Sequence, residues 1–272
     1  MSAQTLVFIG GGNMAGAIVG GLVRAGRAGD SIVVVEPFEA SRERLATQFG
    51  VRTTAAADAT LEGAAMMVWA VKPQAFSQAA APVAAYGASA LHLSVMAGIR
   101  SDAITRAMGT ERVVRSMPNT PALIGRGIAG LFGRPAVSDA DRAMVESVLA
   151  STGECVWVAR EDDLDAVTAL SGSGPAYVFY FVEAMMQAAA EMGLSETQGR
   201  QLALATFSGA AALAQGSADA PSVLRERVTS KGGTTHAAIT ALEAAGVKEA
   251  FVRALHAARV RAKELGDEFG AA

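Results

Sequence analysis

The chain has 272 residues, a net charge of −3 and 18% charged side chains, so it is long enough to bury one large core or two without metals or disulfides. No two Lys/Arg residues are adjacent, which excludes the concentrated basic surface that nucleic-acid binding needs. No apolar stretch approaches the roughly 20 residues that span a bilayer, and residues 1–5 lack the basic region of a targeting signal, so a cytoplasmic protein is the expectation.

The first predicted strand is Leu6–Ile9, all apolar. A glycine-rich turn follows it and opens a helix over residues 13–25. Further strands are predicted at Ile32–Val35 and at residues 51–54, 66–71, 90–95, 112–116, 128–132 and 155–158. Helices over residues 41–49, 74–85, 102–108 and 139–151 fall between them. Nearly continuous apolar strands are those covered on both faces, and their alternation with helices predicts a Rossmann-type doubly wound parallel sheet. Cys155, the one cysteine, sits in the last strand and reads as a small buried hydrophobe. After about residue 159 no convincing strand remains. Residues 161–170, 176–192, 195–215, 221–228, 235–245 and 247–265 all read as helices, and Ser195 with Gln198 has capping-box spacing. The expected organisation is therefore an α/β dinucleotide-binding domain, 1–160, followed by an all-helical dimerisation and substrate domain, 161–272. The helix 176–192 is apolar on nearly every side, its only charges being Glu183 and Glu191. Such a helix has to be covered on nearly every side, which predicts a second subunit over it and hence a homodimer.

The turn after the first strand carries Gly10, Gly12, Asn13, Met14 and Ala15. This is the G-x-G-x-x-A form of the dinucleotide fingerprint: Gly10 for the tight turn, Gly12 for close approach of a pyrophosphate, Ala15 for close packing of helix on strand. Glu36 follows the second strand, where a carboxylate accepts ribose hydroxyls and repels a 2′-phosphate, or is simply a solvated strand end. Arg42 and Arg44 lie near enough to bind a phosphate instead, so the cofactor is read as NADPH or NADH.

Three later segments are Ala70-Val71-Lys72-Pro73, Met117-Pro118-Asn119-Thr120-Pro121 and Val228-Thr229-Ser230-Lys231-Gly232-Gly233-Thr234-Thr235. With Leu170-Ser171-Gly172-Ser173-Gly174-Pro175-Ala176, they closely resemble the pyrroline-5-carboxylate reductases, and the resemblance runs essentially from end to end. It implies reduction of the C=N bond of 1-pyrroline-5-carboxylate to L-proline, the last step of proline biosynthesis. It also implies an interlocked dimer, often assembled into a larger ring of dimers. By the same resemblance Ala70, Val71, Lys72, Pro73, Met96, Ala97 and Gly98 line the cofactor. Ser230, Gly233, Thr234 and Thr235 surround the substrate, with Thr235 as the catalytic residue. Ala57 departs from relatives that carry Asn against the cofactor ribose. Read from the residues alone, Gly232-Gly233-Thr234-Thr235 at a helix start is either a nest of backbone amides suited to a carboxylate or a plain turn with Thr as N-cap.

Other chemistries fit less well. The hydroxyacid dehydrogenases with a helical second domain need Lys and Asn where Val178 and Phe181 stand. No Cys/His cluster has metal spacing, so no metal is expected. His92 reads as packed in a strand, and His236 and His256 as helix-face residues. A protonated imine is already electrophilic, so its reduction does without a strong general acid. The competing readings are a reductase of another cyclic imine acid and a nucleotide-sensing protein without catalysis.

Overall fold

The structure is a computed structural model and describes residues 4–270. The chain divides into two compact units. The first takes in the described residues up to Ser173 together with residues 258–270; the second is Gly174–Ala257.

In the first unit Leu6–Ile9 (β1), Ile32–Val35 (β2), Arg52–Thr54 (β3), Met66–Trp69 (β4), Leu91–Ser94 (β5), Val113–Met117 (β6), Gly127–Gly133 (β7) and Gly153–Trp157 (β8) form one sheet. Its order is β3-β2-β1-β4-β5-β6-β7-β8. The helices here are Asn13–Arg24 (α1), Glu39–Phe49 (α2), Phe76–Gly87 (α3), Ser101–Met108 (α4), Asp139–Leu149 (α5) and Asp163–Val167 (α6). Successive strand residues point to opposite faces, so Leu6 and Phe8 join Ile18 of α1 and Val148 of α5 in one core, while Val7 and Ile9 join Val83 of α3 and Ile104 of α4 in the other. Both faces are thus covered, and the sheet is doubly wound as expected. It departs from an all-parallel sheet at one place: β7 runs antiparallel to β6, and β8 then pairs parallel to β7. The connection between β6 and β7 is a short 3-10 turn over Thr120–Ile124, and a parallel return needs a crossover of a dozen residues or more.

The largest fully buried side chain is Trp69. Its indole N–H donates to His92 Nδ1 at 2.9 Å, and His92 Nε2 lies 2.9 Å from the Gly87 carbonyl oxygen. His92 is therefore a neutral core residue with its proton on Nε2, and burial pushes its pKa down to about 4.

The second unit holds Gly174–Glu191 (α7), Glu196–Gln215 (α8), Pro221–Arg227 (α9), Thr234–Ala244 (α10) and the first half of Val247–Gly270 (α11). The expected capping box forms: the Ser195 hydroxyl accepts from the Gln198 N–H, and the Gln198 side chain accepts from the Ser195 N–H. α7 and α8 pack as a hairpin, so tightly that a Cβ on Gly199 would lie 2.9 Å from Ala189 Cβ. Phe251 of α11 meets Tyr177 and Phe181 of α7 edge-on, with ring centroids 5.6 and 5.7 Å apart. Yet only Val182 and Ala189 of α7 are buried. Phe179 and Tyr180 remain 59% and 69% exposed. One chain leaves uncovered the apolar faces that the sequence says must be covered. Among the described residues no helix is long and apolar enough to cross a membrane.

Candidate active site

β1 lies between β2 and β4, so chain order reverses across it, and the ends of these strands frame the crevice where open α/β sheets bind ligands. The glycine turn sits at that crevice. Gly10 has φ +98°, and a Cβ there would come within 2.8 Å of the Ala70 carbonyl oxygen. Its N–H donates to the Val35 carbonyl, as the Ala70 N–H does to that of Ile9, both at 2.8 Å. Gly10 is glycine because the protein itself demands it. Gly12 is different: its backbone is ordinary (φ −71°, ψ −169°), and a Cβ would meet nothing within 4 Å. It is also the N-cap of α1, and no side chain caps that helix. An exposed glycine over uncapped helical amides is a cradle that a Cβ would fill, and it fits a pyrophosphate. Asn13 is exposed beside it, Met14 is half-buried, and Ala15 is fully buried against the sheet.

Glu36 is not a solvated strand end. It is 7% exposed. Its Oε2 accepts from the Gly11 N–H at 2.8 Å and its Oε1 from the Phe38 N–H at 2.9 Å. The carboxylate therefore braces the middle of the glycine turn. Arg42 Nη1 donates to the carbonyls of Glu36 (2.8 Å) and Pro37 (2.7 Å), and Arg44 Nη2 donates to that of Gly11 (3.2 Å). An acid and two guanidinium groups thus flank one turn.

The other proposed cofactor residues follow the neighbouring strands. Ala70, Val71, Lys72 and Pro73 leave β4; Val71 Cγ1 would lie 3.0 Å from a Cβ on Gly10, and Lys72 is exposed. Met96, Ala97 and Gly98 leave β5, with Met96 buried, Ala97 exposed, and the Met96 N–H donating to Ser94 Oγ at 3.3 Å. Among the described residues no group of acids, histidines and cysteine could hold a metal ion. Cys155 is half-buried rather than enclosed, and burial and Glu146 raise its pKa.

The second unit brings Ser230, Gly233, Thr234 and Thr235 together at the start of α10. The Gly233 N–H donates to the Ser230 carbonyl at 2.9 Å, closing a turn through Gly232, whose φ is +78°. The N-cap is Gly233, not a threonine, and no side chain caps this helix either. The plain-cap reading of Thr235 is thereby removed: Thr234 and Thr235 are the first two helical residues, Thr234 exposed and Thr235 half-buried. Their N–H groups lack the intrahelical partners that later residues have, which suits a carboxylate. His236 is exposed on the helix, as expected.

Two arrangements escaped sequence reasoning. Asn119 donates from Nδ2 to the Ser171 carbonyl at 3.2 Å and accepts on Oδ1 from the Ile128 N–H at 3.0 Å. It ties two of the resemblance-bearing segments together, beside a π-helical turn over Thr168–Gly172. Glu161 reaches the start of α4, 60 residues earlier. Neither pairing leaves a signal in local spacing.

The family description "Pyrroline-5-carboxylate reductase dimerisation" matches residues 161–265, and "NADP oxidoreductase coenzyme F420-dependent" matches residues 5–98. A pyrroline-5-carboxylate reductase of Pseudomonas aeruginosa is 39% identical, over 99% of this chain and 100% of its own. The solved structure of the Coxiella burnetii pyrroline-5-carboxylate reductase superposes with a TM-score of 0.91 at 36% identity, over 96% of this chain and 98% of that one. The Plasmodium falciparum pyrroline carboxylate reductase, solved with NADP bound, gives a TM-score of 0.85 at 27% identity, over 98% and 99%.

Proposed function

Because the chain belongs to the pyrroline-5-carboxylate reductase family, we propose that two helix starts with glycine at the N-cap divide the reaction between them, α1 taking the cofactor and α10 the substrate. The protein is an NAD(P)H-dependent oxidoreductase that reduces the C=N bond of 1-pyrroline-5-carboxylate to give L-proline, the last step of proline biosynthesis. When bound, the reduced nicotinamide supplies the hydride. In this reading the amides at Gly12, Asn13 and Met14 hold the pyrophosphate, and Ala15 keeps α1 close to the sheet. Glu36 fixes the turn and faces the adenosine ribose. Ala70, Val71, Lys72, Pro73, Met96, Ala97 and Gly98 line the remainder of the dinucleotide.

Ser230, Gly233, Thr234 and Thr235 hold the substrate. The carboxylate takes the free amides at the start of α10. The Thr235 hydroxyl accepts a hydrogen bond from the protonated ring nitrogen and stays paired with the product amine. The imine arrives protonated, so hydride addition leaves a neutral amine and needs no further acid at this step. The organisation proposed with it is a cofactor domain over residues 1–160 and a substrate domain over 161–272, in a cytoplasmic dimer that assembles further into a ring.

One observation carries the reading: Gly12 is open, exposed and at an uncapped helix start, for no reason internal to the chain. The test is turnover of 1-pyrroline-5-carboxylate with NADH and with NADPH, following proline formed per nicotinamide oxidised. Turnover of a different cyclic imine acid alone would move the substrate assignment. Binding of the nucleotide with no turnover of any imine would leave a sensor. Glu36 favours an unphosphorylated ribose while Arg42 and Arg44 favour a 2′-phosphate, and the two donors compared side by side decide between them.

A further inference from the structure

α4 begins at Ser101 with Arg100 in the N-cap position and no side-chain cap of its own. A distant acid closes it. Glu161 Oε1 accepts from the Ser101 N–H, and Oε2 from the Ser101 hydroxyl, both at 2.6 Å. The same Oε1 takes Arg115 Nη1 at 2.9 Å, and Arg115 is a β6 residue only 5% exposed. The hold is doubled on each side: Arg100 reaches Asp162 Oδ1 and Asp165 Oδ2, both at 3.1 Å, and Arg134 Nη1 donates to the Ser101 hydroxyl oxygen at 3.0 Å.

Met96, Ala97 and Gly98 run just ahead of α4, with Ile99 and the N-cap Arg100 between. The segment leaves β5 pinned at Ser94 through the Met96 N–H. Gly98 is in the left-handed region (φ +75°), and a Cβ there would lie 2.8 Å from the Phe269 ring of α11. A short segment fixed at its first residue and pressed at its last needs its exit fixed too, and that exit is the first turn of α4. We propose that Glu161 is a positioning residue for the nicotinamide cofactor: by closing the start of α4 it holds the backbone of Met96, Ala97 and Gly98 in the place where the dinucleotide lies. This rests on the assignment of that segment to the cofactor. The competing role is purely structural, in which Glu161 only neutralises the buried Arg115 charge.

The test uses the full chain as Glu161→Gln and as Ser101→Ala. The second change removes the hydroxyl link and leaves the Glu161–Arg115 ion pair intact. Cofactor affinity is measured by NADH and NADPH titration without substrate, and amide hydrogen exchange is measured on the cofactor-free protein. A loosened support for a binding segment weakens binding well before it abolishes folding, so Kd should rise about tenfold in Glu161→Gln and about threefold in Ser101→Ala. Exchange at residues 98–102 should quicken, while kcat at saturating cofactor stays within about twofold. Asp163→Asn, which breaks only the neighbouring exposed pair with Arg160, should change none of these. If Glu161→Gln and Ser101→Ala lower the melting temperature yet bind both nucleotides with native affinity, the role is structural and the proposal fails. Should Glu161→Gln not fold, Ser101→Ala decides on the same readouts. If the unmutated protein binds neither nucleotide, the cofactor assignment falls and the proposal with it, an outcome visible in that arm alone.

Discussion

A Cβ on Gly10 would lie 2.8 Å from the Ala70 carbonyl oxygen, whereas one on Gly12 would touch nothing. The two glycines of one fingerprint thus answer to different partners, and their substitutions should part company. Gly10→Ala places a side chain against backbone at φ +98°, which is strained whatever else moves, and should cost about 1–3 kcal/mol of stability. Gly12→Val should leave the melting temperature close to native and raise the Kd for NADH and NADPH steeply, because the added methyls occupy phosphate space. Calorimetry on a folded Gly12→Val protein checks this; native affinity would sink the assignment of the turn. His92 makes a second prediction at this scale. Its folded pKa of about 4 lies below the ordinary histidine value of 6.5. Between these values the unfolded chain takes up a proton that the folded one refuses. Stability is therefore full above pH 6.5 and declines as the pH falls toward 4, by about 3 kcal/mol in all at roughly 1.4 kcal/mol per pKa unit. Urea unfolding across that range, native against His92→Gln, measures the effect: the variant should lose that much less stability on acidification. Equal losses would mean that His92 titrates normally.

At the scale of elements, the helix starts differ in how they are closed, and glycine stands at the N-cap of the two assigned to cofactor and substrate. α5 and α8 close their own N-termini with capping boxes, Ser138 with Asp141 and Ser195 with Gln198. α1 and α10 begin with glycine and no side-chain cap. Thr235 in α10 therefore has no cap to lose. Thr235→Ala should leave the melting temperature nearly unchanged. A hydrogen bond to a charged group is worth roughly 1.5–3 kcal/mol, so kcat/KM for 1-pyrroline-5-carboxylate should fall about 10- to 200-fold. Thr235→Ser, which keeps the hydroxyl, should restore most of it. Full activity in Thr235→Ala would remove the threonine from the chemistry. What was legible in the sequence follows the same division. Apolar runs such as Leu6–Ile9 and Ile32–Val35 located β1 and β2 to the residue, and glycines with a following acid located the turn. Strand direction was not legible: β7 carries the same alternation parallel or antiparallel, and its direction is set by the length of the connection before it. The grip of Glu161 on Ser101 was equally hidden, since a carboxylate 60 residues from its partner leaves no local pattern. Glu36 was found by position, but its hold on the Gly11 N–H was not, because spacing says where an acid stands and not what it touches.

At the scale of the whole molecule, the second unit is short of cover. Phe179, Tyr180, Leu202 and Leu213 are 59%, 69%, 55% and 65% exposed in one chain, and a family description named for dimerisation matches residues 161–265. An exposed apolar set of this kind marks an interaction surface, and a second subunit is the cover expected for it. In a two-fold interface each side chain counts twice. Full burial of a large apolar side chain contributes about 1.5–3 kcal/mol, and about two thirds of each of these is still open in one chain, so Phe179→Glu with Tyr180→Glu removes four partial contributions from a dimer, about 4 kcal/mol or more. That corresponds to a dissociation constant raised roughly a thousandfold or beyond. Sedimentation equilibrium at micromolar protein should show the native chain as a dimer or a multiple of it, and the double variant as a monomer. Activity should fall with the oligomer. The first unit has its own two-sided core, none of it built from α7, so the double variant should still bind NADH or NADPH in titration. Retained nucleotide binding with lost turnover would trace the defect to the helical unit and its assembly. A native chain that sediments as a stable, fully active monomer would remove the second subunit from the account of these faces.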